Sequence, residues 1–362
     1  MFYTFLYPLS AYYSYFNVFK YLSVRSIGAL LTALCIGLFI GDKFISFLKH
    51  KQQNGQPIRL YVTESHLSKT GTPTMGGLLI LLSTIISVIL WCDLANAFVL
   101  LSIFVLISFG AIGAYDDWIK ISTGCPNGLK SRLKFAMQVI LSLIVGFIVS
   151  KLTPSELYLS ITIPFFKNFV IYLGFLYFVW SILVITGSSN AVNLTDGLDG
   201  LAIMPAIYVA GSFAFISYLV GHTQFSNYLY IHYIPKAGEL TVLLAALVGG
   251  SLGFLWFNAP PAKIFMGDTG SLAIGAVLGS TAMITHHELV LCIVGGLFVV
   301  EAISVIIQVL VFKVGNGRRV FLMAPIHHHF EKKGWPESTI TIRFWILSVV
   351  LAIIGLSTLK FR

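Results

Sequence analysis

Carboxylates and amides are concentrated at a few places in this sequence, and the first is the pair Asp116-Asp117. The pair ends a run of apolar residues that we expect to form a helix. Carboxylates at the C-terminus of a helix face the negative end of its dipole, so two adjacent ones need a compensating cation. Basic residues between Lys120 and Lys134, or a divalent metal, could supply it. We therefore predict a functional role for this pair.

A second group places an amide or a carboxylate at every third position. Its members are Asn190, Asn193, Asp196 and Asp199. Residues three apart share a helical face, but an α-helix drifts by about half a turn over nine residues. The two glycines in this stretch favour a loop or a loosened helix start. An N-cap for the next helix needs fewer polar groups than these four, so we predict that they bind a ligand.

The segment from Asn258 to Ser271 is the third group. Two prolines stiffen it, and glycines beside Asp268 let a ligand approach the backbone. An apolar run follows directly, so the free N–H groups of a helix start would favour phosphate there. The segment lacks the GxxxxGK[ST] pattern of a Walker loop. Its Asp-Thr-Gly triplet is also found in aspartic proteases, but those are soluble β proteins.

Three consecutive histidines, His327, His328 and His329, form the fourth group. Consecutive side chains diverge by about 100° on a helix and alternate on a strand, so regular structure cannot bring all three to one metal. Contact with phosphate, or proton transfer by one or two of them, is the prediction. Glu301 lies in an apolar run, with Gln308 two turns later on the same face. A carboxylate inside a membrane is costly, and both a functional role and polar packing stay open for Glu301.

These residues favour metal-assisted chemistry over a protein nucleophile. Carboxylates without thiolate ligands favour a hard cation, Mg²⁺ or Mn²⁺, which bridges protein and phosphate oxygens. The four cysteines are far apart and form no CxxC pair, so neither a disulfide framework nor a cysteine metal site is indicated. We predict phosphoryl transfer between a soluble nucleotide and a lipid phosphate, in which the protein mainly positions groups and neutralises charge.

The elements that position these groups are predicted to be membrane spans. Of 362 residues, 57% are hydrophobic and 10% charged, against about 25% charged in a soluble domain. We predict an all-α polytopic protein with a single domain, 1–362, in which residues 1–20 form an aromatic interfacial segment. A span needs about 20 apolar residues. Ten spans is the best count, and nine is possible. The candidates are residues 22–48, 75–92, 95–115, 134–150, 168–187, 200–220, 239–257, 270–286, 288–312 and 342–360.

The distribution of Lys and Arg predicts the orientation. Basic residues are concentrated in the loops 43–69, 116–134 and 313–343, and the polar groups lie on the same side, together with residues 69–74. We therefore predict a site at the cytoplasmic face and both termini outside. The net charge of +9 suits cationic loops against anionic lipid headgroups, because the basic residues form no single patch for nucleic acid.

These motifs together resemble a known family. Asp116-Asp117, Asn193-x-x-Asp196-Gly-x-Asp199-Gly and Met266-Gly267-Asp268 resemble the polyprenyl-phosphate N-acetylhexosamine-1-phosphate transferase superfamily. Pro325-x-His327-His328-His329-Phe330-Glu331 and the segment 69–77 are similar to those of the phospho-N-acetylmuramoyl-pentapeptide transferases within it. The resemblance runs from about residue 20 to the C-terminus and includes the ten-span layout.

The resemblance implies a bacterial inner-membrane enzyme of peptidoglycan synthesis. Such an enzyme uses Mg²⁺ to transfer phospho-N-acetylmuramoyl-pentapeptide from its UDP-activated form to undecaprenyl phosphate, releasing UMP. By the same resemblance, Asp268 is the Mg²⁺ ligand, Asp117 deprotonates the lipid phosphate with support from Asp116, and His327 contacts the diphosphate. The implied substrate-binding residues are Lys69, Thr74, Asn190, Asn193, Asp196, Asp199, Asn258, Phe265 (stacked on uracil), Gln308, His328 and His329.

Several alternatives stay open. A sister transferase would use UDP-N-acetylglucosamine, and the triple-histidine loop argues against it. A transporter of anionic solutes would keep its binding residues near the bilayer midplane in broken helices, whereas these gather at one face. Direct attack and a covalent aspartyl intermediate both fit, and we favour direct attack because a metal-bound Asp268 is a poor nucleophile. The sequence leaves open a homodimer, the lipid chain length and the third residue of the peptide.

Overall fold

The computed structural model describes residues 1–52, 71–124, 127–166, 169–315 and 317–360, and its regular structure is nearly all helical. The α-helices are α1 (Phe2–Phe5), α2 (Leu22–Lys51), α3 (Gly77–Trp91), α4 (Ala97–Thr123), α5 (Ser131–Leu152), α6 (Leu176–Thr195), α7 (Ile203–Val220), α8 (Thr223–Leu229), α9 (Leu240–Asn258), α10 (Gly267–Thr285), α11 (Glu288–Val294), α12 (Gly296–Val314), α13 (Ile326–Lys332) and α14 (Glu337–Ser357). Short 3-10 turns lie at Tyr7–Ala11, Ser14–Lys20, Ser155–Leu157 and Ala237–Glu239.

The predicted all-α polytopic fold is confirmed, and the chain is a multi-pass membrane protein. Within the described residues, eight helices are long and apolar enough to cross a membrane, namely α2, α4, α5, α6, α7, α9 (counted from Ala237), α12 and α14. The apolar helix α3 has only 15 residues, and α10 is not among the eight. Each of the ten predicted spans contains a helix. Because α3 and α10 are not among the eight, the count of ten spans is approximate.

The central helix of the bundle is α10, which packs against α4 and α6. Every side chain from Thr269 to Thr285 is buried. Small residues let helix backbones approach closely inside a membrane protein, and α10 is rich in Gly, Ala, Ser and Thr. Its N-terminus carries Asp268, so the packing of α10 fixes that carboxylate against α4 and α6.

The predicted span at 168–187 was wrong at both ends. Strand β1 (Ser160–Thr162) pairs with β2 (Val170–Tyr172) in an antiparallel hairpin, with Ile161 opposite Ile171. Helix α6 then starts at Leu176 and continues to Thr195. Aromatic and β-branched residues suit a strand as well as a buried helix, so hydropathy alone does not separate the two.

Three other predicted boundaries change, two of them because helices continue through polar residues. Helix α4 runs six residues past Asp117, so the aspartate pair does not end the helix and the dipole argument for it was wrong. In the stretch 190–200, which was predicted to be a loop or a loosened helix start, residues 190–195 are the last part of α6. The span predicted at 288–312 is divided at Gly295 into α11 and α12.

The N-terminal aromatic segment lies against the end of α3. The ring of Phe2 meets the ring of Trp91 edge-on, with 4.9 Å between the centroids. Tyr12, Tyr13 and Tyr15 are exposed. A position of this segment at the membrane interface stays a prediction.

A buried ion pair connects three parts of the helix bundle. The Arg25 guanidinium, 2% exposed, donates to both carboxylate oxygens of Glu239, at 2.8 and 2.6 Å. Glu239 Oε2 also accepts from the backbone N–H of Asp93, at 3.2 Å. The pair thus connects the start of α2, the link between α3 and α4, and the start of α9.

Replacing Arg25 with Met is expected to lower the free energy of unfolding by about 3 kcal/mol, because it leaves a mostly buried carboxylate without its partner. Thermal unfolding of the purified protein in detergent measures this loss. The double variant Arg25→Met/Glu239→Gln should recover part of the melting temperature, because it removes the orphaned charge. A double variant less stable than Arg25→Met would contradict this explanation.

Candidate active site

Three carboxylates meet where α4 faces the N-terminus of α10. The side-chain oxygens of Asp116, Asp117 and Asp268 lie within 4.8 Å of one another. Asp116 and Asp117 are buried, and Asp268 opens partly to a cavity. A cluster of carboxylate oxygens without sulfur or nitrogen ligands suits a hard divalent cation such as Mg²⁺.

Two lysines neutralise these carboxylates. Lys120 Nζ lies 2.6 Å from Asp116 Oδ2 and 3.1 Å from Asp268 Oδ2. Lys134 Nζ contacts Asp268 Oδ2 directly and lies 3.6 Å from Asp116 Oδ2. From the sequence, both lysines were expected only as nearby cations and not as members of the site. The spacing of Lys120, four residues after Asp116, was a signal for this pair.

Asp117 connects α4 to α10 through hydrogen bonds. Its Oδ1 accepts from the backbone N–H of Asp268 at 3.2 Å. Its Oδ2 accepts from the backbone N–H and the hydroxyl of Thr269, at 3.0 and 2.7 Å. A carboxylate at the N-terminus of a helix satisfies free N–H groups and is favoured by the helix dipole. Asp117 therefore positions the neighbouring Asp268.

The amides of α6 line the same site. Asn193 Nδ2 donates to Asp268 Oδ1 and to Ser271 Oγ, both at 2.8 Å. Asn190 Nδ2 donates to Gln138 Oε1 at 2.8 Å. These side chains border a cavity of about 570 Å³, large enough for part of a nucleotide-sized ligand. The cavity is lined by Asp116, Lys120, Asn127, Leu129, Ser131, Arg132, Lys134, Phe135, Gln138, Asn190, Asn193 and Asp268.

Asp196 lies just past the end of α6, beside the start of α10. Burial, and after it the negative charges of three nearby aspartates, raise the pKa of Asp196 to about 8, against the partial effect of a hydrogen bond from the Gly267 N–H. This shift favours the protonated form of Asp196 near neutral pH. A neutral Asp196 can donate a hydrogen bond without adding a fourth negative charge to the site.

Asp199 and Asn258 hold the neighbouring loops together. Asp199 Oδ2 accepts from the Ala262 N–H at 2.9 Å. Asn258 Oδ1 accepts from the Gly200 N–H at 3.1 Å, and its Nδ2 donates to the Ile264 carbonyl at 2.8 Å. In this arrangement both side chains form hydrogen bonds with backbone groups, and contact with substrate stays a prediction for each.

The segment after residue 70 reaches the site through Thr74. An added Cβ at Gly267 would lie 2.7 Å from Thr74 Oγ1 and 2.5 Å from Asp117 Oδ2, so this hydroxyl borders the start of α10. The Phe265 N–H donates to the Pro73 carbonyl at 2.9 Å, which places Phe265 beside the same segment. Lys69 lies outside the described residues.

The first histidine contacts the buried carboxylate of α12. His327 Nδ1 lies 3.1 Å from Glu301 Oε2, and both side chains are fully buried. The imidazole also lies on Gly197, where an added Cβ would come within 2.4 Å of His327 Nε2. Glu301 thus has a polar partner, and His327 adjoins the loop that follows Asp196.

The other two histidines have different partners, as expected for consecutive residues on helix α13. His328 Nδ1 pairs with Glu331 Oε2. His329 Nδ1 accepts from the Leu322 N–H at 3.1 Å. Gln308 binds the same strip of chain, accepting from the Phe321 N–H at 3.0 Å and donating to its carbonyl at 3.1 Å. Substrate contact by His328, His329 and Gln308 stays a prediction.

Replacing Glu301 with Leu is expected to lower kcat by about tenfold, because it removes the polar group that lies 3.1 Å from the buried imidazole of His327. Glu301→Gln keeps an oxygen acceptor of similar reach, so its kcat should stay within about threefold of the unchanged protein. Steady-state kinetics on both variants measure the difference. Equal losses in the two variants would show that the contact with His327 is not the cause.

The fold and the site define a class of membrane-embedded transferases. Residues 98–286 match the family model for glycosyl transferase family 4. Residues 69–81 match phospho-N-acetylmuramoyl-pentapeptide-transferase signature 1. The chain belongs to the phospho-N-acetylmuramoyl-pentapeptide-transferase family. Relatives of that name in Ruegeria sp. (strain TM1040), Rickettsia felis (strain ATCC VR-1525 / URRWXCal2) and Rickettsia canadensis (strain McKiel) are each 54% identical, over 96% of this chain and 96% of the relative.

Proposed function

We propose that this protein transfers phospho-N-acetylmuramoyl-pentapeptide from its UDP-activated form to undecaprenyl phosphate and releases UMP. The name shared by its 54% identical relatives supports this reaction. The observation that carries the proposal is the cluster of Asp116, Asp117 and Asp268 beside a cavity of about 570 Å³. Phosphoryl transfer needs such a site, where positive charge can be concentrated on phosphate oxygens.

The cofactor in this proposal is Mg²⁺, with Asp268 as its ligand and Asp116 and Asp117 beside it. The buried all-oxygen donor set fits this ion better than a softer metal. When bound, the ion neutralises charge on the diphosphate oxygens. Asn193 fixes the orientation of Asp268 through its hydrogen bond to Oδ1. The two lysines add positive charge beside the same oxygens.

The geometry constrains how Asp117 could serve as the base. Its oxygens already accept three hydrogen bonds from Asp268 and Thr269. An ionised carboxylate has about four acceptor sites, so these bonds leave Asp117 one site at which to take a proton from the lipid phosphate. We retain direct attack by the lipid phosphate as the proposed route. An isolable phospho-enzyme would overturn it.

The proposed setting is the inner membrane of a bacterium, with the site at the cytoplasmic face and both termini outside. The concentration of Lys and Arg in loops on the side of the site supports this orientation. Cysteine accessibility in intact cells tests it. A cysteine introduced at Ser122, beside the site, should be shielded from membrane-impermeant reagents, and one introduced at Tyr12 should react.

The choice of donor distinguishes this function from the sister transferase. The purified protein in detergent, given Mg²⁺ and undecaprenyl phosphate, is assayed for UMP with UDP-N-acetylmuramoyl-pentapeptide and, separately, with UDP-N-acetylglucosamine. UMP from the muramoyl donor alone is the expected result. Release of UMP from UDP-N-acetylglucosamine would identify the sister transferase. No UMP from either donor would favour the alternative of a transporter of anionic solutes.

A further inference from the structure

The position of Lys134 has a consequence for cation binding that rests on the proposed metal site. Its ammonium group contacts Asp268 Oδ2, an oxygen of the carboxylate that the proposal gives to Mg²⁺. An ammonium group and a divalent cation that contact the same oxygen repel each other. The two cannot share the oxygen, so one of them must leave.

We propose that Lys134 is a built-in competitor of the divalent cation. It holds Asp268 in the metal-free protein and is displaced into the cavity when the cation binds. Without metal, ion pairs with Lys120 and Lys134 offset part of the negative charge of these carboxylates. The lysines therefore keep the site folded when no metal is present.

Lys134, and not Lys120, is the group that moves. Lys120 lies on the same helix as Asp116, four residues later, and its strongest contact is the 2.6 Å pair with that residue. It can keep this contact after a cation reaches Asp268. Lys134 lies on a different helix, α5, within the first turn. Its stronger contact is with Asp268 itself, and its contact with Asp116 is longer, at 3.6 Å.

The structure also provides space for the displaced side chain. Lys134 lines the cavity of about 570 Å³, together with Gln138 and Asn190. A lysine side chain is flexible and carries its charge on a four-carbon stem. After displacement, the ammonium group remains in the cavity, beside the position that anionic oxygens of a substrate would take.

Binding of Mn²⁺, a paramagnetic substitute for Mg²⁺, tests this role without any measurement of activity. Electron paramagnetic resonance of the full-length protein in detergent gives the dissociation constant. Lys134→Met should bind Mn²⁺ roughly tenfold more tightly, because the competing charge is gone. Lys134→Arg keeps the charge and should stay near the unchanged protein. Lys130→Met, which removes an exposed lysine of the same segment, controls for the general loss of positive charge.

Thermal unfolding gives a second measurement. In EDTA, Lys134→Met should unfold at a lower temperature than the unchanged protein, because the carboxylates have lost a counter-ion. Added Mg²⁺ should raise its melting temperature by more than that of the unchanged protein. Lys134→Gln is the second neutral variant if Lys134→Met does not fold.

The outcomes separate this inference from the proposed function. Unchanged or weaker Mn²⁺ binding in the neutral variants, with binding abolished in Asp268→Asn, would overturn the competitor role and leave the metal site intact. An equal gain in Mn²⁺ affinity in Lys134→Met and Lys130→Met would also overturn it, because the general loss of positive charge would then explain both results. An absence of Mn²⁺ binding in the unchanged protein would overturn the metal site and the competitor role together.

Discussion

Replacing Asp268 with Asn is expected to lower kcat by at least about a thousandfold, the scale seen when an enzyme loses a central electrostatic group. Asp268 is the carboxylate on which Lys120, Lys134 and Asn193 converge. An amide keeps the shape of the side chain but removes the negative charge that holds a cation. UMP release under saturating substrates measures the effect.

A matched control removes an aspartate that has no place in the site. Asp42 lies on α2 with an exposed side chain, and Asp42→Asn should keep the activity of the unchanged protein. Melting temperatures of both variants show whether each is folded. An Asp268→Asn variant that is folded and retains more than about a tenth of the activity would contradict the central role of this residue.

Replacing Gly113 with Ala is expected to damage the site through the packing of two helices. The added Cβ would lie 2.1 Å from the Asp268 carbonyl oxygen and 2.6 Å from the Thr269 nitrogen. Both are backbone atoms, so α4 and α10 must move apart, and Asp117 must lose its hydrogen bonds to α10. Overpacking of this kind costs about 1–3 kcal/mol of stability. We expect activity to fall about a hundredfold, since small displacements of catalytic groups have effects of that size.

A second glycine provides the comparison. Gly211 lies within α7, and a Cβ added there meets nothing within 4 Å. Gly211→Ala should therefore leave activity unchanged and stability equal or slightly higher, because alanine favours a helix. Mn²⁺ affinity should fall in Gly113→Ala only. Equal activity in the two variants would show that close approach of α4 and α10 is not required.

The sequence predicted several residues of the site because polar residues gather where the apolar runs end. Asp116, Asp117, Asn193 and Asp268 were each recognised on this ground, and the structure brings them together. The same reasoning misplaced the ends of α4 and α6. Hydropathy ends a span at its first carboxylate or amide, whereas a helix continues where such residues face a polar interior.

The individual roles were harder to predict than the membership of the cluster. The lysines of the site lie on two helices, and nothing in the spacing of Lys134 indicates that it reaches Asp268. Asp199 and Asn258 were predicted to bind the nucleotide-sugar, yet their hydrogen bonds go to the backbone of Ala262 and Gly200. Which polar side chain forms hydrogen bonds with the backbone depends on contacts between distant segments. A single sequence does not contain that information.

The most direct test of the central claim follows the transferred group. The purified protein receives undecaprenyl phosphate and UDP-N-acetylmuramoyl-pentapeptide labelled in the sugar, with Mg²⁺ or with EDTA. We expect the label to enter the lipid phase in equal amount to the UMP released, and only with Mg²⁺. Release of UMP with the label left in water would indicate hydrolysis, and transfer in EDTA would contradict a cation-dependent site.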